Sequence, residues 1–318
     1  MRSSTSSSEA GVGNTHSDLL RATKVLLVSV LALCVMAEIG ARLFVPKMSN
    51  ALTRLNLESN AARAMAITGN APKEMLIVGN SLLMAGVDVA QLNGPLEPAW
   101  RGVRFGMEQT QFYDWYFGMK RLTADGARPS AFVVCFEPRH LIASSVRTEL
   151  FAHYLMRTRD TLEVAQALDL TPSGTADLFI ANTSTLWALR KEIRKNVLGR
   201  LLPSMPQLTR LITRGGGAPS PQLDEILSVG KERLTAMRAI AEAADAKLIV
   251  VLMPPLTAEH TPALQQLGRE LGVPILTPLT DRDLAPDDYE PDQYHLNANG
   301  RLRFTAALAG QLQVALQQ

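Results

Sequence analysis

The chain has 318 residues, 47% of them hydrophobic, which is enough to bury a full core of helices and strands. Its 32 lysines and arginines nearly balance its 30 aspartates and glutamates, so its charge gives no reason to expect a nucleic-acid-binding protein. Its two cysteines, Cys34 and Cys135, lie in an apolar N-terminal run and in a predicted core strand. This placement argues against a disulfide framework or a zinc site.

The first 46 residues predict a tail followed by a membrane helix. Residues 1–23 are rich in serine and other small residues and are predicted to be a disordered cytoplasmic tail. Residues 24–46 are predicted to be a transmembrane signal anchor, because Val25–Ala37 carries no charge. Extending this run to the ~20 residues of a spanning helix includes Glu38 and Arg42, which stand four apart and can form an ion pair on one helix face.

The basic residues Arg2, Arg21 and Lys24 precede the apolar run, which favours a cytoplasmic N-terminus and export of the remainder. Two alternatives to the anchor remain open. The run could be a signal peptide cleaved after Ala37, or a core helix of a cytosolic protein. The predicted localisation is a bacterial inner membrane, crossed once, with the catalytic domain in the periplasm.

The rest of the chain, residues 47–318, alternates short apolar runs with helical patterns. Continuous apolar runs are typical of strands that are buried on both faces of a parallel sheet. The predicted strands are Met75–Val78, Val103–Phe105, Ala131–Phe136, Lys247–Met253 and Val273–Leu276. This alternation predicts a three-layer α/β/α domain with a parallel sheet.

A helical insert is predicted at about residues 144–220, because this stretch is too long for a simple connection between a strand and a helix. We expect the insert to pack over the carboxyl edge of the sheet. Its basic residues could contact an anionic polymer or lipid headgroups, or could form an ordinary solvated helix face. They are Arg190, Lys191, Arg194, Lys195 and Arg200.

Ser81 directly follows the first predicted strand, within Gly79-Asn80-Ser81. A strand that ends at glycine and passes into a helix places the serine at the carboxyl edge of the sheet, where ligands bind in open α/β folds. The start of that helix also offers unpaired N–H groups to a negatively charged oxygen. The alternative is that Ser81 only caps the helix.

A second block lies near the C-terminus, where Asp292 and His295 stand three residues apart within D-Q-Y-H-L-N. A serine becomes a strong nucleophile when a base removes its proton, and a carboxylate that orients the base improves it. The other histidines considered as bases, His140, His153 and His260, lack a D-x-x-H arrangement.

The G-N-S block and the D-x-x-H-L-N block together resemble the SGNH (GDSL-type) hydrolase superfamily, in the same chain order. The resemblance implies a flavodoxin-like parallel sheet and a catalytic triad of Ser81, Asp292 and His295. It also implies that the backbone N–H groups of Ser81 and Gly106 bind the oxyanion, although Gly106 could equally be a plain turn glycine after the second strand. Asn80 replaces the Asp of G-D-S, which resembles the membrane-anchored, polysaccharide-modifying branch.

One departure from that family pattern lies after the third predicted strand. The family carries an Asn there as a second oxyanion donor, whereas this chain reads Glu137-Pro138-Arg139-His140. A carboxylate at this place would repel an oxyanion. The sequence leaves three possibilities: Arg139 or another donor substitutes, Glu137 points elsewhere, or the function of the site is altered.

The resemblance implies an exported serine esterase or O-acyltransferase that acts on acyl esters of a cell-surface polysaccharide through an acyl-serine. Whether water or a sugar hydroxyl accepts the acyl group stays open. A membrane protein that donates the acyl group is a possible partner, and no cofactor or metal is implied. The acidic stretch 281–290 does not have the spacing of a calcium-binding EF-hand loop and is predicted to be solvated. The alternative function is a catalytically altered scaffold that binds polysaccharide or a membrane partner.

Overall fold

The computed structural model describes residues 12–48, 50–65, 72–201, 221–256 and 260–317. The chain begins with two helices, α1 (Val12–Met48) and α2 (Asn50–Arg63). The prediction of disorder for residues 1–11 lies outside the described residues. For residues 12–23 it is corrected, because α1 begins at Val12. Once a helix is nucleated by the apolar run, each added residue gains a hydrogen bond, so the helix extends backward into the polar segment.

Five parallel strands form one sheet, in the order β2-β1-β3-β4-β5. This is the flavodoxin-like order that the resemblance implied. All five predicted strands are present, although β1 and β2 are longer than predicted and β5 is shorter. The bounds are β1 Lys73–Gly79, β2 Trp100–Gly106, β3 Ala131–Phe136, β4 Lys247–Leu252 and β5 Ile275–Leu276.

The sheet is covered on both faces, which confirms the three-layer α/β/α architecture. Alternate residues of each central strand point to opposite sides, so Met75 and Ile77 of β1 enter one apolar core and Leu76 and Val78 enter the other. The first core is closed by α3 (Ser81–Gly86), α4 (Val89–Leu96) and α14 (Ala298–Gln317). The second is closed chiefly by α5 (Phe112–Ala124), α12 (Leu223–Ala243) and α13 (His260–Leu271).

The helical insert is present, but only part of it lies where it was predicted. After α6 (Pro138–Ile142), it contains α7 (Thr148–Tyr154), α8 (Thr161–Ala167), α9 (Pro172–Thr183), α10 (Thr185–Ala188) and α11 (Arg190–Leu201). Residues 202–220, the remainder of the predicted insert, lie outside the described residues.

The insert packs beside α5, whereas the prediction placed it over the carboxyl edge of the sheet. The rings of Phe117 and Phe151 are 6.0 Å apart, and Arg121, near the end of α5, donates to the carbonyl of His153 at 2.7 Å. At the carboxyl edge, Ser145 and Arg147 contact the loop that follows β2. The insert packs this way because it buries the aromatic side chains on the outer face of α5, such as Phe117, and removes their apolar surface from water.

The N-terminal helix has an exposed half and a docked half. Among the described residues, Asp18–Val45 is the one helical stretch long and apolar enough to cross a membrane. Its side chains from Leu19 to Met36 are exposed, whereas Ala41 and Val45 are buried against the insert and α2. The predicted pair between Glu38 and Arg42 forms, with 2.8 Å between the carboxylate and Nε.

Candidate active site

Ser81 occupies the first position of α3, directly after the turn that ends β1. Gly79 is required there, because a Cβ at this residue would lie 2.8 Å from both the Cys135 carbonyl oxygen and the Leu83 Cβ. Asn80 is buried and caps α3, accepting from the Leu82 N–H at 3.0 Å and donating to the Thr110 carbonyl at 3.2 Å. The helix cap is therefore Asn80, and the hydroxyl of Ser81 is left available for another contact.

His295 and Asp292 lie in the loop before α14. One carboxylate oxygen of Asp292 accepts from the backbone N–H groups of Tyr294 and His295, both at 3.0 Å. The other oxygen lies 2.7 Å from Nδ1 of His295. Burial raises the pKa of Asp292, but the hydrogen bonds from His295 and Tyr294 outweigh it and hold the pKa below its usual range. The carboxylate therefore stays charged and fixes the orientation of the imidazole.

Nε2 of His295 lies 2.9 Å from Oγ of Ser81, across 214 residues of sequence. The structure thus brings the three residues of the predicted triad together in one hydrogen-bonded chain, from carboxylate to imidazole to hydroxyl. With Nδ1–H donated to Asp292, Nε2 is the acceptor that faces the serine proton. The order of contacts is the one in which a serine is activated as a nucleophile.

A network around Asn297 and Asp288 holds the His295 loop. The amide of Asn297 donates to the carbonyls of Asp287 and Tyr289, and its oxygen accepts from the N–H groups of Asn299 and Gly300. Asn297 therefore links the loop to the first turn of α14.

Asp288 is buried, which corrects the prediction that the acidic stretch is solvated throughout. Its carboxylate accepts from the side chains of Asn299 and Arg303. Asp281 and Asp283 also accept hydrogen bonds, from Leu256 and Thr280 respectively. These carboxylates stabilise the loop from within.

The two predicted oxyanion donors differ in availability. In the part of the chain that the structure describes, the Ser81 N–H contacts no acceptor, and it lies at the open N-terminus of α3. The N–H of Gly106 instead donates to the carboxylate of Glu58 at 2.8 Å. The expectation that Gly106 offers a free N–H to the oxyanion is therefore corrected. In this conformation Glu58, from α2, occupies that donor.

The carboxylate of Glu137 is bound by two neighbouring side chains. Its carboxylate lies 2.5 Å from Nε of Arg139 and accepts from the Tyr294 hydroxyl at 3.3 Å. The Arg139 guanidinium also lies 4.8 Å from the centre of the Tyr294 ring. Burial raises the pKa of Glu137 despite the nearby Arg139, and burial raises the pKa of Tyr294 to about 12. Of the three possibilities left by the sequence, these contacts favour the one in which Glu137 points elsewhere, toward Arg139 and Tyr294.

The other histidines are not joined to Ser81 by any hydrogen bond in the described ranges. His140 is largely buried between Trp115 and Glu137, and its burial lowers its pKa to about 4. Burial likewise lowers the pKa of His153, which lies in the insert. His260 is buried at the start of α13. Among the described histidines, His295 is therefore the one whose ring nitrogen contacts the Ser81 hydroxyl.

The sheet order, the serine after β1 and the Asp-x-x-His loop before the last helix occur here in one arrangement. The chain has an SGNH-hydrolase-like fold. No protein-family model matches it, and no curated protein matches it either.

Solved structures that match this SGNH-like chain include three esterases. The psychrotrophic esterase EstA from Pseudoalteromonas sp. is 12% identical over 77% of this chain and 100% of its own, with a TM-score of 0.40. A family two carbohydrate esterase from Clostridium thermocellum is 8% identical over 80% of this chain and 67% of its own, with a TM-score of 0.40. The acetyl xylan esterase Est2A from Butyrivibrio proteoclasticus is 10% identical over 79% and 66%, with a TM-score of 0.37. Likenesses of this size do not define an activity.

A cavity of about 860 Å³ lies beside the triad of the SGNH-like domain, and neither Ser81 nor His295 lines it. Its lining includes Thr110, whose carbonyl accepts a hydrogen bond from Asn80, and Arg139, which pairs with Glu137. Its lining is mixed, with the polar residues Gln109, Gln111, Ser144, Gln222 and Glu225 beside apolar ones. The cavity is therefore next to the residues that contact Asn80 and Glu137 and does not open directly on Ser81.

Sequence reasoning missed two residues of the site. Glu58 was not singled out, because it belongs to an ordinary polar helix 48 residues before its partner Gly106. Tyr294 stands inside the D-x-x-H block, and its aromatic ring directly before His295 was the available signal.

Proposed function

We propose that this protein is an SGNH-type serine esterase or O-acyltransferase that works through an acyl-serine intermediate. The observation that supports this most strongly is the contact chain from Asp292 to His295 to Ser81, at 2.7 and 2.9 Å. The same chain of contacts on unrelated folds activates a serine toward carbonyl carbon.

In the proposed reaction, Oγ of Ser81 attacks the ester carbonyl while Nε2 of His295 takes its proton. The tetrahedral intermediate then collapses, its C–O bond to the leaving alcohol breaks, and His295 returns the proton to that alcohol. Asp292 stabilises the imidazolium formed between these steps. Water or a sugar hydroxyl then attacks the acyl-serine, and His295 again serves first as base and then as acid.

The oxyanion would be bound first by the N–H of Ser81, which points from the start of α3. A second donor at Gly106 would require Glu58 to move, since the carboxylate of Glu58 now accepts that N–H. The protein would therefore turn over slowly in this conformation and faster in one that releases Glu58.

For cellular setting, we propose a single-pass protein of a bacterial inner membrane with its catalytic domain in the periplasm. The exposed apolar half of α1 supports a membrane anchor. The replacement of Asp by Asn80 supports the polysaccharide-modifying branch and so an acyl ester of a cell-surface polysaccharide as substrate. A membrane protein that donates the acyl group is the partner this setting would require for transfer.

The test is labelling of the full chain, purified in detergent, with a fluorophosphonate probe. We expect labelling of the wild type and its loss in Ser81→Ala and in His295→Ala, because the probe reacts with a serine only when a base activates it. The control is Ser228→Ala, which removes an exposed hydroxyl on α12 and should label like the wild type. Labelling that survives Ser81→Ala would show that another residue is the nucleophile.

A second candidate function is a scaffold of this fold that binds polysaccharide or a membrane partner without turnover. The contact between Glu58 and the Gly106 N–H favours it, because that contact removes an oxyanion donor. Absence of probe labelling in a folded wild type, judged by a cooperative thermal transition, would favour the scaffold over the enzyme.

A further inference from the structure

The membrane helix does not leave the catalytic domain on a free linker, because its second half is attached to the insert. Glu38 accepts from the hydroxyl of Ser184 and from the N–H groups of Thr185 and Leu186, at 2.8 to 3.0 Å. Arg42 donates to the carbonyl of Thr183 at 3.2 Å. The corner between α9 and α10, which we call the docking corner (residues 179–187), is thus fixed to one level of α1.

That level falls within the length of helix needed to cross a bilayer. From Val25, the first residue of the uncharged run, Glu38 is 13 residues along the helix, or about 20 Å at 1.5 Å a residue. The hydrocarbon core of a bilayer is about 30 Å thick. If α1 spans the membrane, as the proposed function holds, the docking corner therefore lies within about 10 Å of the outer boundary of the hydrocarbon.

The docking corner carries apolar side chains that the protein leaves exposed. The exposed fractions are 48% for Phe179, 42% for Ile180, 37% for Leu186 and 40% for Trp187. All four lie within four residues of Thr183, whose carbonyl Arg42 contacts. Contiguous exposed apolar groups of this kind mark an interaction surface.

Basic residues follow the corner immediately. The guanidinium of Arg190 lies over the ring of Trp187 at 4.3 Å and also pairs with Glu149 and Asp177. Tryptophan is itself enriched at membrane interfaces. On α11, Arg194 and Lys195 are exposed and form no ion pair within the described ranges. Cations next to an apolar edge are suited to anionic lipid headgroups.

We propose that the docking corner is a second membrane contact, in which Phe179, Ile180, Leu186 and Trp187 enter the outer boundary of the bilayer. Arg194 and Lys195 then lie over anionic headgroups. With α1 as the first contact, two attachment points fix the tilt of the catalytic domain, so that the Ser81 edge keeps a constant orientation to the membrane. This inference rests on the proposed anchor.

The experiment uses the full chain in vesicles of phosphatidylethanolamine and phosphatidylglycerol, with an environment-sensitive fluorophore on one cysteine. The native Cys34 on α1 reports insertion of the anchor, since Cys135 is buried and stays unlabelled. Leu186→Cys in a Cys34→Ala background reports the docking corner. The matched control in that background is Leu302→Cys, 50% exposed on α14, on the opposite side of the sheet.

We expect lipid-borne nitroxides to remove about half or more of the emission at Cys34 and at position 186, and little at position 302. Quenching at Cys34 with position 186 no more quenched than position 302 would overturn this inference and leave the anchor intact. No quenching at Cys34 would overturn the anchor and this inference together. Quenching at position 186 that is the same without phosphatidylglycerol would overturn the headgroup role of Arg194 and Lys195.

Discussion

At the scale of single residues, the most informative contact lies outside the proposed triad, between the Glu58 carboxylate and the Gly106 N–H. Ser81, His295 and Asp292 are already aligned, so no rearrangement of side chains is needed to activate the nucleophile. Stabilisation of the oxyanion is less complete, because the Gly106 N–H donates its hydrogen bond to Glu58. Glu58 in turn accepts a hydrogen bond from Arg104 at 2.8 Å. The expected limit on the rate is therefore the oxyanion, and Glu58 is the residue to change.

We predict that Glu58→Ala raises the turnover of a soluble acetyl ester by about ten-fold or more, because it frees the Gly106 N–H. One oxyanion donor contributes about 10² to 10³ in rate, which sets the upper limit. Arg104 is partly exposed, so water can replace its lost partner. The measurement is steady-state hydrolysis of p-nitrophenyl acetate by the full chain in detergent.

The control for this change is Glu58→Gln, whose amide oxygen can still accept from Gly106 and should keep the rate near that of the wild type. If Glu58→Ala melts like the wild type and is no faster, Glu58 is a structural group. Gly106 would then have no part in binding the oxyanion.

The residues of the triad could be predicted from sequence because each lies in a short local pattern: a glycine turn after an apolar run, and a carboxylate three residues before a histidine. Glu58 could not, because its role depends on how α2 packs on β2, and nothing in its neighbours encodes that packing. Glu137 is an intermediate case. The sequence identified the departure, and only the structure shows the carboxylate bound to Arg139 and Tyr294.

At the scale of secondary-structure elements, the critical junction is the start of α14. Gly300 lies against the loop that carries the triad histidine, and a Cβ there would come within 2.2 Å of the Asp288 carbonyl oxygen. The same carbonyl accepts from the N–H of Asn297. The close approach of helix and loop therefore sets the position of Asp292 and His295.

We predict that Gly300→Ala lowers ester hydrolysis by more than about ten-fold and destabilises the fold by about 1–3 kcal/mol, the usual range for overpacking. The added Cβ would collide with the backbone of Asp288, which cannot move aside as a flexible side chain can, so the loop must shift. Gly310→Ala on the same helix is the control, because a Cβ there meets nothing within 4 Å. It should keep full activity and gain about 0.5–1 kcal/mol. Thermal unfolding and p-nitrophenyl acetate hydrolysis measure both effects, and equal activity of the two variants would contradict the prediction.

A helix or strand could be predicted well where its burial shows as a run of apolar residues in the sequence. The fully buried strand β3 was located to the residue, since every side chain from Ala131 to Phe136 is buried. The edge strand β5 was predicted too long, because its residues are only half-buried and pair on one side. The position of the insert was predicted only in part. Ser145 and Arg147 lie at the carboxyl edge, whereas the contacts of the insert with α5 depend on long-range packing that periodicity does not contain.

At the scale of the whole molecule, α2 links the helix proposed as an anchor to the edge of the sheet that carries Ser81. This helix follows α1 and supplies Glu58 to the N–H of Gly106. The proposed anchor is thus next in sequence to the helix whose Glu58 occupies the second proposed oxyanion donor. If α1 spans the membrane, the direction in which it crosses decides on which side the proposed chemistry takes place.

The basic residues before the apolar run predict that the N-terminus is cytoplasmic and that everything after α1 is outside. In a Cys34→Ala background, Ser228→Cys on exposed α12 should react in spheroplasts with a membrane-impermeant maleimide, whereas Asp18→Cys should react only after lysis. A second measurement, the mass of the membrane-bound protein, tests whether α1 is retained. The mass should correspond to the full chain, because an anchor is not removed. A mass lacking the first 37 residues would identify a cleaved signal peptide instead. Labelling of Asp18→Cys in intact spheroplasts would reverse the orientation, and the predicted periplasmic site would then face the cytoplasm.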